Sequence, residues 1–348
     1  MKAFYFLESY MASSLSFSVI LTVIITLSVA YVNGWTDAPN AIASSVSSRS
    51  INIRSAVILA AVSDFSGSVI IGIFNNRVTQ TVMNIADFGN DNRVALLSLC
   101  AAMSSVVLWA VLAWKFGIPT SESHALIAGL SGASIAVNGG FRGININDWF
   151  KVVFGLLVSS ILGFAAGYII SKITVKIFSN RSKQKTDTLF KHSQIFASML
   201  MAFMHGAQDS QKFTGILMLV ATLSGIQLKS KTPLWMLIMC SLIIALGTAT
   251  GGEKIIKSVG MDMIKLRKDQ GFSADVAGAL CLLVSTLLGM PVSTTHTKTS
   301  AVMGVGVSKS AKSVNWRVAG EMVIAWILTF PGCGLLGWLV TKLFLIIF

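Results

Sequence analysis

The chain has 348 residues with a formal net charge of +13, yet only 12% of its residues are charged and 54% are hydrophobic. An average soluble domain carries about 25% charged residues, so water could not solvate most of this surface. The basic residues lie mainly in connections between apolar segments and form no stripe with interleaved aromatic residues. The composition therefore excludes an ordinary soluble protein, and we expect no nucleic-acid partner.

Continuous apolar segments recur along the whole chain. A bilayer core ~30 Å thick is crossed by a helix of roughly 20 apolar residues, whereas strands of a membrane barrel alternate apolar and polar residues. The sequence therefore predicts an all-α, polytopic protein of the cell membrane, with the lipid bilayer as its surroundings. The predicted apolar segments are 15–32, 55–74, 94–114, 149–170, 233–250, 273–288 and 316–348.

Cysteine usage gives no indication of a metal or a cofactor. Cys100, Cys240, Cys281 and Cys333 all lie inside apolar segments and show no CxxC spacing. Such cysteines behave as small packing residues rather than as metal ligands. We expect no cofactor.

Polar motifs recur 172 residues apart. Gly34 and Asp37 correspond to Gly206 and Asp209, and a Pro-x-Ser-x-x-His motif at 119–124 recurs at 291–296. A third block, 147–149, resembles 314–316 with an offset of 167. We therefore divide the chain into a first half at 1–171, a basic cytoplasmic connecting loop at 172–192 and a second half at 193–348. Repeated halves, often of inverted topology, are typical of secondary transporters.

The repeated acids are the first candidate site. A charge at the bilayer centre costs about 3 kcal/mol on insertion scales, so Asp37 and Asp209 need a function or a partner. With Asn40 they form an oxygen ligand set that suits Na⁺, or they could carry a proton; the alternative is that they cap helices. Gly34 and Pro39 interrupt the first copy, which favours a discontinuous helix lining a cavity.

The repeated Pro-x-Ser-x-x-His motifs are the second candidate site. Proline at the first turn favours a helix start, and N–H groups at a helix start bind anions. The apolar stretches that follow, 125–137 and 297–307, are short for a full crossing. We therefore predict re-entrant helical hairpins whose tips hold an anion; ordinary helix starts in loops are the alternative. The tip residues are Ser121, Glu122, Ser123, Ser293, Thr294 and Thr295.

The two halves differ at two positions of these motifs. Asn40 corresponds to Lys212, and Glu122 corresponds to Thr294. Lys212 could bind the anion or neutralise Asp209, or its ammonium could reach the membrane interface.

Several polar residues near the motifs have a more open interpretation. Gln208 adds an amide to the anion site. His124 and His296 could donate protons, bind a ligand or serve the structure, so we assign them a supporting role. Asp64 and Glu321 are further acids in apolar segments whose roles stay open.

At these motifs the chain resembles the inorganic phosphate transporter (PiT) family, bacterial type. Residues 34–41 resemble the family motif Gly-x-Asn-Asp-x-x-Asn-Ala, with departures at Trp35 and Thr36. Residues 209–212 resemble its bacterial Asp-x-Gln-Lys form, where Gln208 replaces the commoner asparagine. Both Pro-x-Ser-x-x-His segments are similar to the family's hairpins. The resemblance extends from about residue 34 to about residue 334.

The resemblance implies an inverted-repeat fold, usually a homodimer, that moves inorganic phosphate together with Na⁺ or H⁺. It implies that Asp37, Asn40 and Asp209 lie on the cation side and the hairpin residues around the anion. A sulfate permease on the same scaffold is the alternative; Glu122 favours phosphate, which at neutral pH retains a proton to donate. We predict no enzyme, because Ser121 and Ser293 lack a nucleophile-elbow pattern.

Overall fold

The computed structural model describes residues 17–116, 121–226, 232–250, 256, 264 and 266–348, and its long elements there are all helices. In chain order they are α1 (Phe17–Thr36), α2 (Pro39–Ser47), α3 (Ile53–Phe74), α4 (Arg77–Met83), α5 (Asn92–Phe116), α6 (Glu122–Asn138), α7 (Ile146–Phe178), α8 (Lys183–Leu223), α9 (Leu234–Thr250), α10 (Lys268–Leu287), α11 (Thr294–Lys309) and α12 (Trp316–Ile347).

Six stretches of the described residues are long and apolar enough to cross a membrane. They confirm a multi-pass membrane fold, and their outer faces carry large apolar side chains. Leu157 and Ile161 on α7 are 61% and 66% exposed, and Ile327 on α12 is 66% exposed. Such surface is stable only against lipid. The six stretches are Phe17–Ser47, Ile53–Phe74, Asn92–Ala113, Ile146–Phe178, Lys268–Leu287 and Ala319–Ile347.

Two helical hairpins, α5–α6 and α10–α11, lie within the bundle. Their second helices are the short ones predicted from the sequence, and 14 of the 16 residues of α11 are buried. Each hairpin packs mainly on the long helix that ends the other half, α6 on α12 and α11 on α7. Each hairpin therefore packs against a long helix of the other half, and the two tips come together.

Close glycine contacts occur in matched pairs at these crossings. A Cβ at Gly132 would collide with the Gly334 carbonyl, and a Cβ at Gly304 would collide with the Phe164 carbonyl. Small residues of this kind let membrane helices approach closely. Gly132 and Gly304 keep the 172-residue offset, while residues 164 and 334 are 170 apart. The offset of 167 predicted for this third block is therefore wrong by three residues. The matched helix contacts define an offset of 170, which the sequence similarity around Trp149 and Trp316 did not reveal.

A second matched pair joins the motif helices to α3 and α9. A Cβ at Gly34 would meet the Ile244 carbonyl, and a Cβ at Gly206 would meet the Asp64 carbonyl. Asp64 thus occupies the place that Ile244 has in the other half. This explains why no acidic counterpart of Asp64 is visible in the sequence.

The predicted connecting loop at 172–192 is largely helical. Helix α7 continues to Phe178 and α8 begins at Lys183, so the break between them is four residues long. The prediction of a loop was wrong because lysine and glutamine, although solvated, are good helix formers.

Candidate functional site

The two hairpin tips meet at their capping serines. Ser121 is the N-cap of α6 and Ser293 is the N-cap of α11, and each accepts a hydrogen bond from the backbone N–H three residues on. The Ser121 hydroxyl donates to the Ser293 hydroxyl at 2.8 Å, and both residues are fully buried. Two helix N-termini therefore face each other inside the protein. Pro119 lies outside the described residues.

The first acid, Asp37, lies in the break between α1 and α2. Its carboxylate accepts from the Thr295 hydroxyl at 3.0 Å and from the Asn33 amide at 3.3 Å. The Asn40 amide in turn donates to Thr295 at 3.0 Å. The N-cap of α2 is Ala38 and no side chain caps that helix. Asp37 therefore contacts the second hairpin tip instead of capping α2.

Two side-chain oxygens next to Asp37 in the chain or in its hydrogen-bond network have no partner in the described part of the chain. The Oδ1 atoms of Asn33 and Asn40 are buried and accept no hydrogen bond from the described residues. A carboxylate with two amide carbonyls is an oxygen ligand set of the kind that hard cations prefer. The arrangement can bind a small cation at the base of the second hairpin tip.

The second acid, Asp209, lies within the continuous helix α8. Its carboxylate accepts from Lys212 at 2.5 Å, from the Asn33 amide at 3.0 Å and from Thr294 at 3.5 Å. His205 Nε2 lies 3.4 Å from the same group. Asn33 thus donates to both acids, so Asp37 and Asp209 lie on either side of one amide group.

Lys212 connects three parts of the site. Besides Asp209, its ammonium donates to the Ser123 hydroxyl at 2.5 Å and to the Val292 carbonyl at 2.7 Å. An ammonium has three donors, so all three are used within the protein. The side chain is 1% exposed and therefore does not reach the membrane interface. Lys212 neutralises Asp209 and ties both hairpin tips to α8.

Gln208 and Glu122 flank this centre differently. Gln208 donates to the Met290 carbonyl at 2.7 Å and accepts from Thr286 at 2.7 Å, so both of its polar atoms position the second hairpin. Glu122 is 2% exposed, and its Oε2 has no hydrogen-bond partner among the described residues. Glu122 therefore has an oxygen available at the first tip.

The two predicted supporting histidines pack against each other. The rings of His124 and His296 meet edge to face at 4.2 Å, and His124 stacks on Phe330 of α12 at 4.6 Å. His296 stacks on Trp326 at 3.5 Å. The rings lie behind the tips, where they brace the two hairpins against α12.

His205 is a site residue that the motif analysis missed. Its Nδ1 lies 2.9 Å from Asp64, which also accepts from Thr248 at 2.8 Å. His205 therefore bridges Asp64 and Asp209, and both acids are fully buried. The 172-residue offset could have found it, because His205 corresponds to Asn33.

Glu321, the other acid with an open role, lies away from this centre. Its side chain is 59% exposed and accepts from Arg317 at 3.1 Å. It forms an ordinary i,i+4 surface pair, unlike the buried Asp64.

Membrane-length helices that enclose two hairpins, with polar tips set against buried acids, are typical of membrane transporters. The sequence profile of the phosphate transporter family matches residues 33–337, and the chain belongs to that family. Its relatives are transporters and not enzymes.

Individual relatives agree over nearly the whole chain. A probable low-affinity inorganic phosphate transporter of Bacillus subtilis (strain 168) is 37% identical over 91% of this chain and 94% of its own. One from Rhizobium meliloti (strain 1021) is 35% identical over 94% of this chain and 96% of its own. A solved structure described as the sodium-dependent phosphate transporter superposes with a TM-score of 0.85 at 23% identity, over 96% of this chain and 100% of its own.

Proposed function

We propose that the protein is a secondary active symporter that moves inorganic phosphate across the membrane together with a cation, Na⁺ or H⁺. The contact between Ser121 and Ser293 is the observation that carries the proposal. It sets two helix N-termini face to face beside a pair of buried acids. Few other arrangements could hold an oxyanion and a cation a few ångströms apart inside a membrane.

The anion is bound by the two hairpin tips. The N-cap serines of α6 and α11 are in contact, so the N–H groups of the two first turns lie close together, and the tip hydroxyls of Ser123, Thr294 and Thr295 belong to the same turns. Lys212 adds positive charge there through its bond to Ser123. Phosphate that retains a proton can donate it to Glu122 Oε2, whereas sulfate has no proton to donate. The free Oε2 therefore supports phosphate over sulfate as the substrate.

The cation is bound on the Asp37 side. Asp37 and the unpaired carbonyl oxygens of Asn33 and Asn40 supply its ligands, and Asp209 adds negative charge through the shared Asn33. Thr295 hydrogen-bonds Asp37 and belongs to the second tip. Movement of that tip would alter both sites together, which is a physical basis for coupling.

Transport requires the site to open alternately to each side. All the proposed ligands are at most 5% exposed, so the hairpins must move for substrate to enter. Two halves of inverted topology would supply equivalent movements on the two sides. The basic segment 172–192 would then be cytoplasmic, and a homodimer would be the assembly implied by the resemblance.

Uptake of radiolabelled phosphate into proteoliposomes tests the proposal. We expect accumulation driven by an imposed Na⁺ or pH gradient and little competition from sulfate. The solved transporter described as sodium-dependent shares the fold with this chain, so both gradients are compared. Ser293→Ala with Thr294→Ala should raise the half-saturating phosphate concentration, and Glu321→Gln is the matched control. Uptake of sulfate in place of phosphate would overturn the substrate assignment.

A further inference from the structure

A second buried polar cluster lies outside the proposed phosphate and cation sites. Lys298 forms an ion pair with Asp275 and donates to Ser44 at 3.1 Å. The Ser44 hydroxyl donates to Asp275 at 2.7 Å, and the Gln194 amide donates to Asp275 at 2.6 Å. Each of the four residues is at most 1% exposed. We call this set, Ser44, Gln194, Asp275 and Lys298, the lysine cluster.

The fold does not require polar residues at this place. The positions 172 residues away from Ser44, Asp275 and Lys298 hold Ile216, Met103 and Leu126. Those three side chains are buried and belong to one hydrophobic cluster. Replacing a buried ion pair by apolar residues is often neutral or stabilising. The retention of charges in only one half therefore points to a function.

The neighbours of the Lys298 ammonium are those that a small cation prefers. They are the carboxylate of Asp275 and the hydroxyl of Ser44, which are oxygen ligands of hard monovalent and divalent cations. The Gln194 amide donates to both of these groups, and its Oε1 atom is buried and accepts no hydrogen bond from the described residues. Turning this amide over would present Oε1 to a cation that replaced the ammonium.

The lysine cluster adjoins the proposed cation site. Ser44 lies one helical turn after Asn40 on α2, and Lys298 lies three residues after Thr295 on α11. One turn advances a helix by about 5.4 Å. The Lys298 ammonium is thus a fixed positive charge beside the place where we propose that the coupling cation binds.

A cavity of 570 Å³ lies on the opposite side of the cluster. Ser48, one turn beyond Ser44, and Phe190, one turn before Gln194, both line it, together with the basic residues Arg181 and Arg267. The lysine cluster therefore lies along α2 and α8 between this cavity and the Asp37 region.

We propose that the lysine cluster is a second cation site in which the Lys298 ammonium takes the place of a free monovalent cation. The protein thereby carries one of its cations as a side chain, and removing that side chain opens a site for Na⁺. The direction of any cation movement through this site rests on the proposed function, but the binding itself does not.

Na⁺ binding by purified Lys298→Ala protein tests the proposal without transport. We measure ²²Na⁺ binding and the melting temperature in Na⁺, K⁺ and choline. We expect the variant to bind one more Na⁺ per chain than the wild type, with a saturable rise in melting temperature. Lys298→Ala with Asp275→Asn should lose that extra binding. Lys309→Ala, an exposed lysine of the same helix, should behave as the wild type.

Two results would overturn the proposal. One is a folded Lys298→Ala protein that binds no more Na⁺ or K⁺ than the wild type. The other is a variant that fails to fold in every cation while the double variant folds, because a free cation should replace the ammonium. Folding in Na⁺ but not in choline supports the proposal. If the Lys298→Ala protein binds extra Na⁺ but the wild type does not transport phosphate, the symporter proposal is refuted and the second cation site is supported.

Discussion

The two acidic motifs, 34–40 and 206–212, have the same spacing but opposite electrostatics. Asp37 lies in a helix break, and its side chain accepts hydrogen bonds from the neutral groups of Asn33 and Thr295. The Oδ1 atoms of Asn33 and Asn40 have no partner among the described residues. Asp209 lies in an unbroken helix and is paired with the ammonium of Lys212. We therefore propose that Asp37 binds an added cation, whereas the Lys212 ammonium already neutralises Asp209.

A similar difference in charge between the two halves occurs at the lysine cluster, one helical turn beyond Asn40 on α2. The second half contributes Lys298 and Asp275 where the first half has Leu126 and Met103. Of the described lysines, Lys212 and Lys298 are the buried ones, and both belong to the second half. The two sets of matched motifs therefore differ in charge, because both buried ammonium groups of the described residues belong to the second set.

Lys212→Met should have the largest effect. It leaves Asp209 buried without its ammonium and releases Ser123 and Val292 from α8. Breaking a buried pair costs about 3–5 kcal/mol, so we expect little folded protein and no uptake. Gel filtration and thermal unfolding measure the loss. Asp209→Asn in the same chain should restore folding but not uptake; normal uptake by Lys212→Met alone would contradict the role of Lys212.

Asp37→Asn should remove cation coupling while leaving the fold intact. An asparagine can still hydrogen-bond Thr295 and Asn33, whereas the ligand charge is lost. Interactions with a charged group contribute about 1.5–3 kcal/mol. We expect the half-saturating cation concentration to rise about 10- to 100-fold. Glu321→Gln is the control, and equal uptake by both variants would refute the cation assignment.

His205→Asn would make the second motif resemble the first more closely. Asparagine is too short to bridge Asp64 and Asp209, so Asp64 would keep Thr248 as its partner. Leaving a buried acceptor short of donors costs about 1–3 kcal/mol. We expect a lower melting temperature and weaker uptake. Asp64→Asn should recover stability in the His205→Asn background, and a failure to do so would show that the two residues are not coupled.

Ser121→Ala should have the smallest effect. It removes the contact between the tips and one helix cap. A cap contributes about 1 kcal/mol, so the half-saturating phosphate concentration should rise about fivefold. Ser293→Ala and the double variant complete a cycle. Additive effects would show that the two tips do not act on the same anion.

Much of the site could be predicted because the repeat marked it. Acids and polar hairpin tips inside apolar segments are costly in lipid. Each of these motifs can be recognised from a few neighbouring residues. His205, Asp275 and Lys298 were missed because each resembles an isolated polar residue until its partner is known. His205 lies 141 residues from Asp64, Asp275 lies 81 residues from Gln194, and Lys298 lies 254 residues from Ser44, so motifs read along the chain do not join them.

The sequence by itself determined that this chain is a helical membrane protein of the phosphate transporter family with motifs in matched order. Length and hydropathy suffice for the helical membrane fold, because lipid forces apolar runs into helices, and the family follows from the resemblance of the motifs. Tertiary structure alone decided the third-block register, the exposure of Glu321, and which acid is neutralised. Those outcomes depend on which helices cross within a few ångströms of each other, since a buried charge is defined by the partner that reaches it.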